Sequence, residues 1–153
     1  MKHKHPGARS LALVTGACLL LGGCKHISLD TRPVGLQRSE SLTPSGVHVR
    51  ELFLGEGRSA RQGDLVVMDY TVWLLDGTRV DSTLDRGVPI EVRIGSAPIE
   101  GWNEGQMGVM PDGRRQLLIP ARLAYGSEGF GDLVPPDADL RFEVHVLEVR
   151  PQG

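Results

Sequence analysis

Few side chains in this sequence could act as a nucleophile, a general base or a metal ligand. Beyond the first residues the histidines are His26, His48 and His145, and the chain has two cysteines. His48 and His145 lie in segments that alternate like strands, where a solvated or edge histidine is the ordinary interpretation. The sequence lacks zinc-type cysteine and histidine spacing, phosphate-binding glycine loops and dinucleotide fingerprints. If the chain is an enzyme, we expect a reaction that needs no nucleophile, metal ion or cofactor.

The segment from 125 to 137, YGSEGFGDLVPPD, carries much more apolar surface than a loop normally does. Its glycines and prolines are ordinary turn residues, but it is longer than a plain connection between two strands needs to be. Four large apolar side chains occur in it: Tyr125, Phe130, Leu133 and Val134. A solvated loop has no reason to carry them, so turn chemistry alone does not explain this segment.

Length and composition favour a single turn-rich domain. The chain has 153 residues, of which 40% are hydrophobic and 24% charged, with 20 glycines and 10 prolines. This length allows one domain with a substantial core but not two sizeable ones. The glycine and proline content suits a β or α+β domain better than a helical bundle. The formal net charge of −2 gives no indication of nucleic-acid binding.

The N-terminal segment, residues 1–23, is predicted to be a lipoprotein signal peptide. A basic opening precedes an apolar run from 11 to 21, which is about half the length needed to span a bilayer. The motif LGGC, which ends at Cys24, resembles a lipobox, in which the cysteine becomes the lipidated first residue. We predict lipidation of Cys24. Cys18 is a weaker candidate, because Thr15 stands where the motif prefers an aliphatic residue.

Cleavage before Cys24 divides the rest of the chain into two parts. Residues 24–43 mix Ser, Thr, Arg, Pro and Gly without a period, which predicts a lipidated flexible tether. Residues 44–150 are predicted to form the folded domain. The remaining thiol would be acylated, so no disulfide is expected.

We expect the protein in the cell envelope, lipid-anchored and facing the periplasm or the cell surface. The residue after the cysteine is Lys25 rather than the aspartate that causes inner-membrane retention in some bacteria. We therefore expect the outer membrane rather than the inner one.

The hydrophobic periodicity predicts an antiparallel sheet with one short helix. Residues 65–75 alternate strongly, and the Asp76–Gly77 pair after them is a hairpin turn. Further strands are predicted in the segment TRVDS that follows this turn, near 90–94, at 114–119 and at 140–149. The segment PIEGWNEGQMGVM predicts a helix of little more than two turns, because glycine destabilises a helix interior. The pattern of about five strands and one helix is typical of an α+β domain.

Three stretches, in this order, resemble the FKBP family of peptidyl-prolyl cis/trans isomerases. They are DYTVWLLDGTRVDS, EGWNEGQMGVMPDGRRQLLIP and LAYGSEGFGDLVPPDADLRFEV. The resemblance runs from about Thr43 to Val149. It implies an α+β fold in which a five- to six-stranded antiparallel sheet curls around one short helix, with an apolar cleft between them. The strand count from periodicity agrees with that fold.

The resemblance also implies which residues form the site. It assigns to catalysis Tyr70, Asp81, Ile99, Trp102, Tyr125 and Phe142. It assigns to substrate binding Val80, Ile90, Phe130, Leu133 and Val134. A substrate proline would lie over Trp102, with the Ile99 N–H and the Tyr125 hydroxyl donating hydrogen bonds to substrate carbonyls.

The expected partners are proline-containing exported polypeptides and the membrane, with no cofactor, no metal and no nucleic acid. The dimerising helical arm of some exported relatives is not evident, so a monomer is expected.

The chain departs from the family pattern at three of these positions. Val80 and Ile90 stand where the family usually has phenylalanine, and Phe130 stands where histidine is common. With fewer aromatic side chains around the proline, the sequence does not determine the catalytic rate or the affinity for macrolides. The leading hypothesis is an isomerase that assists the folding of exported proteins. Two alternatives stay open: a non-catalytic chaperone or binding module that uses the same cleft, and a structural envelope lipoprotein whose cleft has no function.

Overall fold

The computed structural model describes residues 39–153, which form one sheet and two short α-helices. The strands are β1 (Glu40–Leu42), β2 (His48–Phe53), β3 (Leu65–Leu74), β4 (Arg79–Ser82), β5 (Ile90–Arg93), β6 (Arg114–Ile119) and β7 (Leu140–Arg150). The helices are α1 (Thr83–Arg86) and α2 (Glu100–Gly105). Cys24 and the predicted signal peptide lie outside the described residues. Within residues 39–153, no helix is long and apolar enough to cross a membrane.

The seven strands form one antiparallel sheet in the order β1-β2-β6-β7-β3-β4, and β5 pairs with the first half of β3. The longest pairing joins β3 to β7, from Leu65 opposite Arg150 to Leu74 opposite Leu140. The α+β class is therefore confirmed. One boundary differs from the sequence prediction: residues 40–42, expected in the tether, pair with residues 48–50 as an edge strand.

The core lies on one face of this sheet, as the alternation in β3 predicts. Val66, Met68 and Val72 are buried, while Tyr70 and Leu74 are partly buried against them. The same face of β7 contributes the buried side chains Leu140, Phe142, Val144 and Val146. The opposite face of β7 carries mostly polar and charged side chains, whereas that of β3 mixes Leu65, Val67 and Trp73 with Asp69 and Thr71. One-sided burial of this kind is the usual pattern of an antiparallel sheet.

Helix α2 packs on the core face of β6 at an unusually short distance. A Cβ atom built on Gly105 would lie 2.6 Å from Leu117 Cδ1, and one built on Gly101 would collide with Ile119. The glycines that limit the length of α2 to six residues therefore also let its backbone approach the sheet. Trp102, one residue after Gly101, is carried on the helix into the space between the sheet and the loop that follows β6.

Candidate active site

A cavity of about 250 Å³ opens between the sheet, helix α2 and the loop from 125 to 134. Its lining is mostly apolar, with two phenol groups and one carboxylate. The residues that line it are Tyr70, Val72, Val80, Asp81, Pro98, Ile99, Trp102, Tyr125, Phe130, Leu133, Leu140 and Phe142. An apolar cavity with a few polar groups is the usual form of a small binding site.

Three aromatic rings form the floor of the cavity. The Trp102 indole stacks on the Phe142 ring, with centroids 5.8 Å apart and an interplanar angle of 16°. Tyr70 meets the indole edge-to-face at 5.6 Å. Trp102 is only 7% exposed and Phe142 only 3%. The floor is therefore also the top of the hydrophobic core, and its geometry is fixed by core packing.

A polar network ties one rim of the cavity together. The Tyr70 hydroxyl and the Arg86 guanidinium both donate hydrogen bonds to the Asp81 carboxylate. Arg86 Nη2 lies 3.3 Å from the Tyr70 hydroxyl, and the guanidinium lies 5.9 Å from the centre of the Tyr70 ring. The Ser82 backbone N–H donates a further bond of 2.8 Å to Asp81. Because a hydroxyl, a guanidinium and an amide all donate to it, the carboxylate is held in a single orientation.

Sequence reasoning missed Arg86. This residue lies five positions after Asp81, at the end of α1, and the path of α1 brings its side chain back to the rim. An isolated D-x-x-x-x-R spacing carries no signal of this contact, so the sequence offered no means to find it.

The network keeps the ionisable groups of the rim in their ordinary protonation states. Burial alone would raise the pKa of Asp81, but the hydrogen bonds from Tyr70, Arg86 and Ser82 outweigh it and hold the pKa below its usual value. Burial, together with the nearby Asp81 carboxylate, raises the pKa of Tyr70 above its usual value. At neutral pH the rim therefore consists of a neutral phenol, a carboxylate and a guanidinium.

The loop from 125 to 134 forms the opposite wall. The Tyr125 and Phe130 rings stack with centroids 4.9 Å apart. Phe130 is 53% exposed and Leu133 is 54% exposed, so this wall projects into solvent. The loop is closed by a bridge in which the Phe130 N–H donates to the Val134 carbonyl at 2.8 Å. Gly129 has a left-handed φ of 65°, and a Cβ there would collide with the Val134 carbonyl, so glycine is required for this closure.

Two hydrogen-bond donors in the cavity, the Tyr125 hydroxyl and the Ile99 backbone N–H, are available to a bound molecule. Burial raises the pKa of Tyr125, which keeps its hydroxyl protonated. Within residues 39–153, neither that hydroxyl nor the Ile99 backbone N–H donates to another group of the chain. Both groups can therefore donate hydrogen bonds to a bound molecule. No group of His, Cys, Asp and Glu side chains in the described part of the chain is arranged to hold a metal ion.

The structure brings nine of the eleven predicted cleft residues together around the cavity and leaves out Ile90 and Val134. Ile90 begins β5 opposite Met68 and packs against the core, and its side chain does not extend to the cavity. Val134 is 1% exposed because its side chain points into the core, whereas its neighbour Leu133 points to the cavity. Val72, Pro98 and Leu140, which were not predicted, complete the lining.

Comparisons with known proteins agree with this geometry. Residues 56–147 match the model of the FKBP-type peptidyl-prolyl cis-trans isomerase family. An FK506-binding protein of Neisseria meningitidis serogroup B is 41% identical over 105 residues, which cover 68% of this chain and 96% of that protein.

Two solved structures share the fold. FkpA from Escherichia coli matches with a TM-score of 0.69 and 32% identity, over 75% of this chain and 53% of that chain. AtFKBP13 matches with a TM-score of 0.66 and 32% identity, over 72% of this chain and 98% of that chain. With its aromatic-floored cavity and these relatives, the chain belongs to the FKBP-type peptidyl-prolyl cis-trans isomerase family.

Proposed function

We propose that this protein catalyses cis/trans isomerisation of X-Pro bonds in exported polypeptides and thereby assists their folding in the cell envelope. The observation that carries the proposal is the aromatic-floored cavity in which the Tyr125 hydroxyl and the Ile99 N–H are free to donate. Such a site suits a reaction in which no covalent bond is formed or broken.

An apolar cavity can lower the barrier of this reaction by itself. Rotation about a peptide bond is opposed by resonance, with a barrier of about 18–20 kcal/mol, and X-Pro bonds are the ones that populate cis appreciably. The planar amide is more dipolar than the twisted one, because resonance places charge on its oxygen and nitrogen. Transfer from water into an apolar cavity therefore disfavours the planar form more than the twisted transition state.

Each part of the site has a distinct task in this proposal. The substrate proline lies on the Trp102 indole, which excludes water from the rotating bond. The Ile99 N–H and the Tyr125 hydroxyl donate to substrate carbonyls on either side and hold the peptide while its centre rotates. The Asp81 carboxylate, fixed by Tyr70 and Arg86, supplies a polar contact at the rim. No proton is transferred, so no general base is needed.

The experiment that tests the activity is isomerisation of a short X-Pro peptide by the purified chain from residue 25 onward. We expect the rate of approach to cis/trans equilibrium to rise in proportion to protein concentration. A rate equal to the uncatalysed one, with a cooperative unfolding transition showing that the sample is folded, would refute the proposal.

The second candidate function is a binding module that holds apolar or proline-containing segments without catalysis. It is favoured by Val80, which gives a smaller wall than an aromatic residue, and by the exposed side chains of Phe130 and Leu133. The variant Tyr125→Phe separates the two functions, because it removes one donor and keeps the apolar surface. An isomerase loses rate in this variant, whereas suppression of client aggregation by a binding module is unchanged.

The proposed location depends on lipidation of Cys24, which the LGGC motif supports. Stable anchoring needs more than one acyl chain, as is typical of lipoproteins. Cys24→Ala is expected to release the protein from membranes or to block its processing, and Cys18→Ala is the matched control that leaves both unchanged. A Cys24→Ala protein that is processed and membrane-bound like the unaltered one would contradict the anchor.

A further inference from the structure

One buried charge in the domain has no task in the cleft. Arg115 on β6 faces Glu51 on β2, and the two side chains form an ion pair while only 8% and 13% exposed. Removing two charges from water is costly, and a buried ion pair often contributes little net stability compared with apolar side chains of the same size. The location of this pair suggests a role that apolar side chains could not replace.

Arg115 also binds the end of the helix that carries the cleft floor. Its Nη1 donates to the carbonyl of Gly105, the last residue of α2, and at 3.0 Å to the Met107 carbonyl. The final carbonyls of a helix have no partners within the helix and carry partial negative charge, so a guanidinium satisfies both requirements. A helix of six residues is too short to be stable without such contacts.

The contact between α2 and β6 determines how far apart the two elements lie, but it does not fix the position of α2 along its own axis. Gly101 and Gly105 present no side chains to interlock with Ile119 and Leu117. On its outer side, α2 is bound to loops: the Asn103 amide bonds with residues 95 and 97, and Glu104 accepts from Thr43 Oγ1 at 2.9 Å. Among residues 39–153, Arg115 is the side chain that binds the backbone of α2 to the sheet.

Trp102 lies on the same short helix, three residues before Gly105. The Gln106 N–H donates to the Trp102 carbonyl at 3.0 Å, so the segment bound by Arg115 is joined to Trp102 by one helical turn. A shift of α2 along its axis would move the indole relative to the Phe142 and Tyr70 rings, which belong to the sheet. Displacement of about 1 Å in a site can reduce a rate by as much as a hundredfold.

We propose that Arg115, oriented by Glu51, is a positioning residue that fixes helix α2 on the sheet and so sets where Trp102 lies in the cleft. It touches no substrate and acts through the Gly105 and Met107 carbonyls. Only the kinetic part of this proposal rests on the proposed function, because a change in kcat/KM can be measured only if the protein is an isomerase. The indole position itself can be measured without that activity.

The test compares two arginines that each pair with a carboxylate. In the full chain, Arg115→Met and Arg115→Lys are made, with Arg58→Met as the control. Arg58 bonds to Asp64 rather than to α2, and Asp64 is also bound by the backbone N–H groups of Arg61 and Gln152. All variants are assayed at a temperature where each is fully folded by circular dichroism.

Two readouts distinguish positioning from general stabilisation. For Arg115→Met we expect kcat/KM for an X-Pro peptide to fall about tenfold, and Arg115→Lys to recover part of it. In a Trp73→Phe background, the emission of Trp102 should shift to longer wavelength in Arg115→Met and stay unchanged in Arg58→Met. Arg58→Met should lower the unfolding temperature without changing kcat/KM.

Unchanged kcat/KM and unchanged Trp102 emission in folded Arg115→Met would overturn the proposal. If Arg115→Met does not fold, Glu51→Gln replaces it, because it keeps the guanidinium and removes only the charge that orients it. The same emission shift is then expected, and its absence overturns the proposal. If the unaltered protein does not catalyse isomerisation, the proposed function fails, but the emission measurement still decides whether Arg115 positions Trp102.

Discussion

The floor and the loop wall of the cleft are built from similar side chains in opposite settings. Trp102 and Phe142 on the floor are 7% and 3% exposed, whereas Phe130 and Leu133 on the wall are 53% and 54% exposed. The floor belongs to the core, so a change there should alter stability and activity together. Phe130 and Leu133 on the wall project away from the core, so a change in either should alter substrate binding and leave the fold intact.

The largest effect is expected from Trp102→Leu, which tests the floor. It removes the flat surface on which proline would rest and leaves a partly empty site beside Phe142 and Tyr70. We expect kcat/KM to fall by about a hundredfold or more and the free energy of unfolding to fall by about 3 kcal/mol. Peptide isomerisation and urea unfolding measure the two quantities. A loss of activity with no loss of stability would contradict the view that the floor is part of the core.

Val80→Phe is expected to raise the affinity for a ligand of the cavity about tenfold, because it extends the apolar surface between the floor and the rim. The probe is an X-Pro peptide, whose proline we propose to lie in this cavity. Isothermal titration of both proteins measures the change. The control is Leu75→Phe, which changes an exposed side chain outside the cavity lining and should leave the affinity unchanged. Equal gains from both variants would show that the gain does not arise in the cavity.

A smaller effect is expected from Phe130→Ala, which tests the wall. The side chain stacks on Tyr125 but is more than half exposed, so the free energy of unfolding should change by less than about 1 kcal/mol. We expect KM for a peptide with a large residue next to proline to rise about threefold to fivefold while kcat changes little. An unfolding midpoint that drops as far as that of Trp102→Leu would remove the distinction between floor and wall.

The smallest effect is expected from pH, because neither region changes its charge near neutrality. The pKa of Asp81 lies below its usual value, so the carboxylate stays ionised well below neutrality, and the pKa values of Tyr70 and Tyr125 lie above theirs. We expect kcat/KM to vary less than about twofold between about pH 5 and 9. A bell-shaped profile in this range would reveal a titrating group that the site as described does not contain.

Sequence reasoning located most of the fold because its signals are local. The alternation in β3 and β7 predicts which side chains are buried, and the glycines of α2 predict its length. The strand at Glu40–Leu42 could not be predicted in the same way, because three exposed residues have no periodic pattern and their strand exists only through pairing with β2.

The site was predicted less completely than the fold, for a related reason. The direction in which Leu133 and Val134 point depends on the bridge between Phe130 and Val134, which two adjacent aliphatic residues do not reveal. Ile90 stands at a family cleft position, but on β5 it packs against the core and is not part of the cavity lining. Arg86 joins the site only through the path of α1, and Arg115 joins α2 through a contact ten residues away in sequence.

The two glycines in α2 have a consequence for the order of assembly. Glycine weakens an isolated helix, and at these positions alanine would collide with Leu117 and Ile119, so intrinsic helix preference cannot be increased here. We therefore expect the helix to become ordered only after β6 offers a surface to pack against and Arg115 can bind the carbonyls at its end. The cleft floor is then among the last parts of the domain to form. A partly folded chain would have no active site, and catalytic activity would report that the sheet is complete.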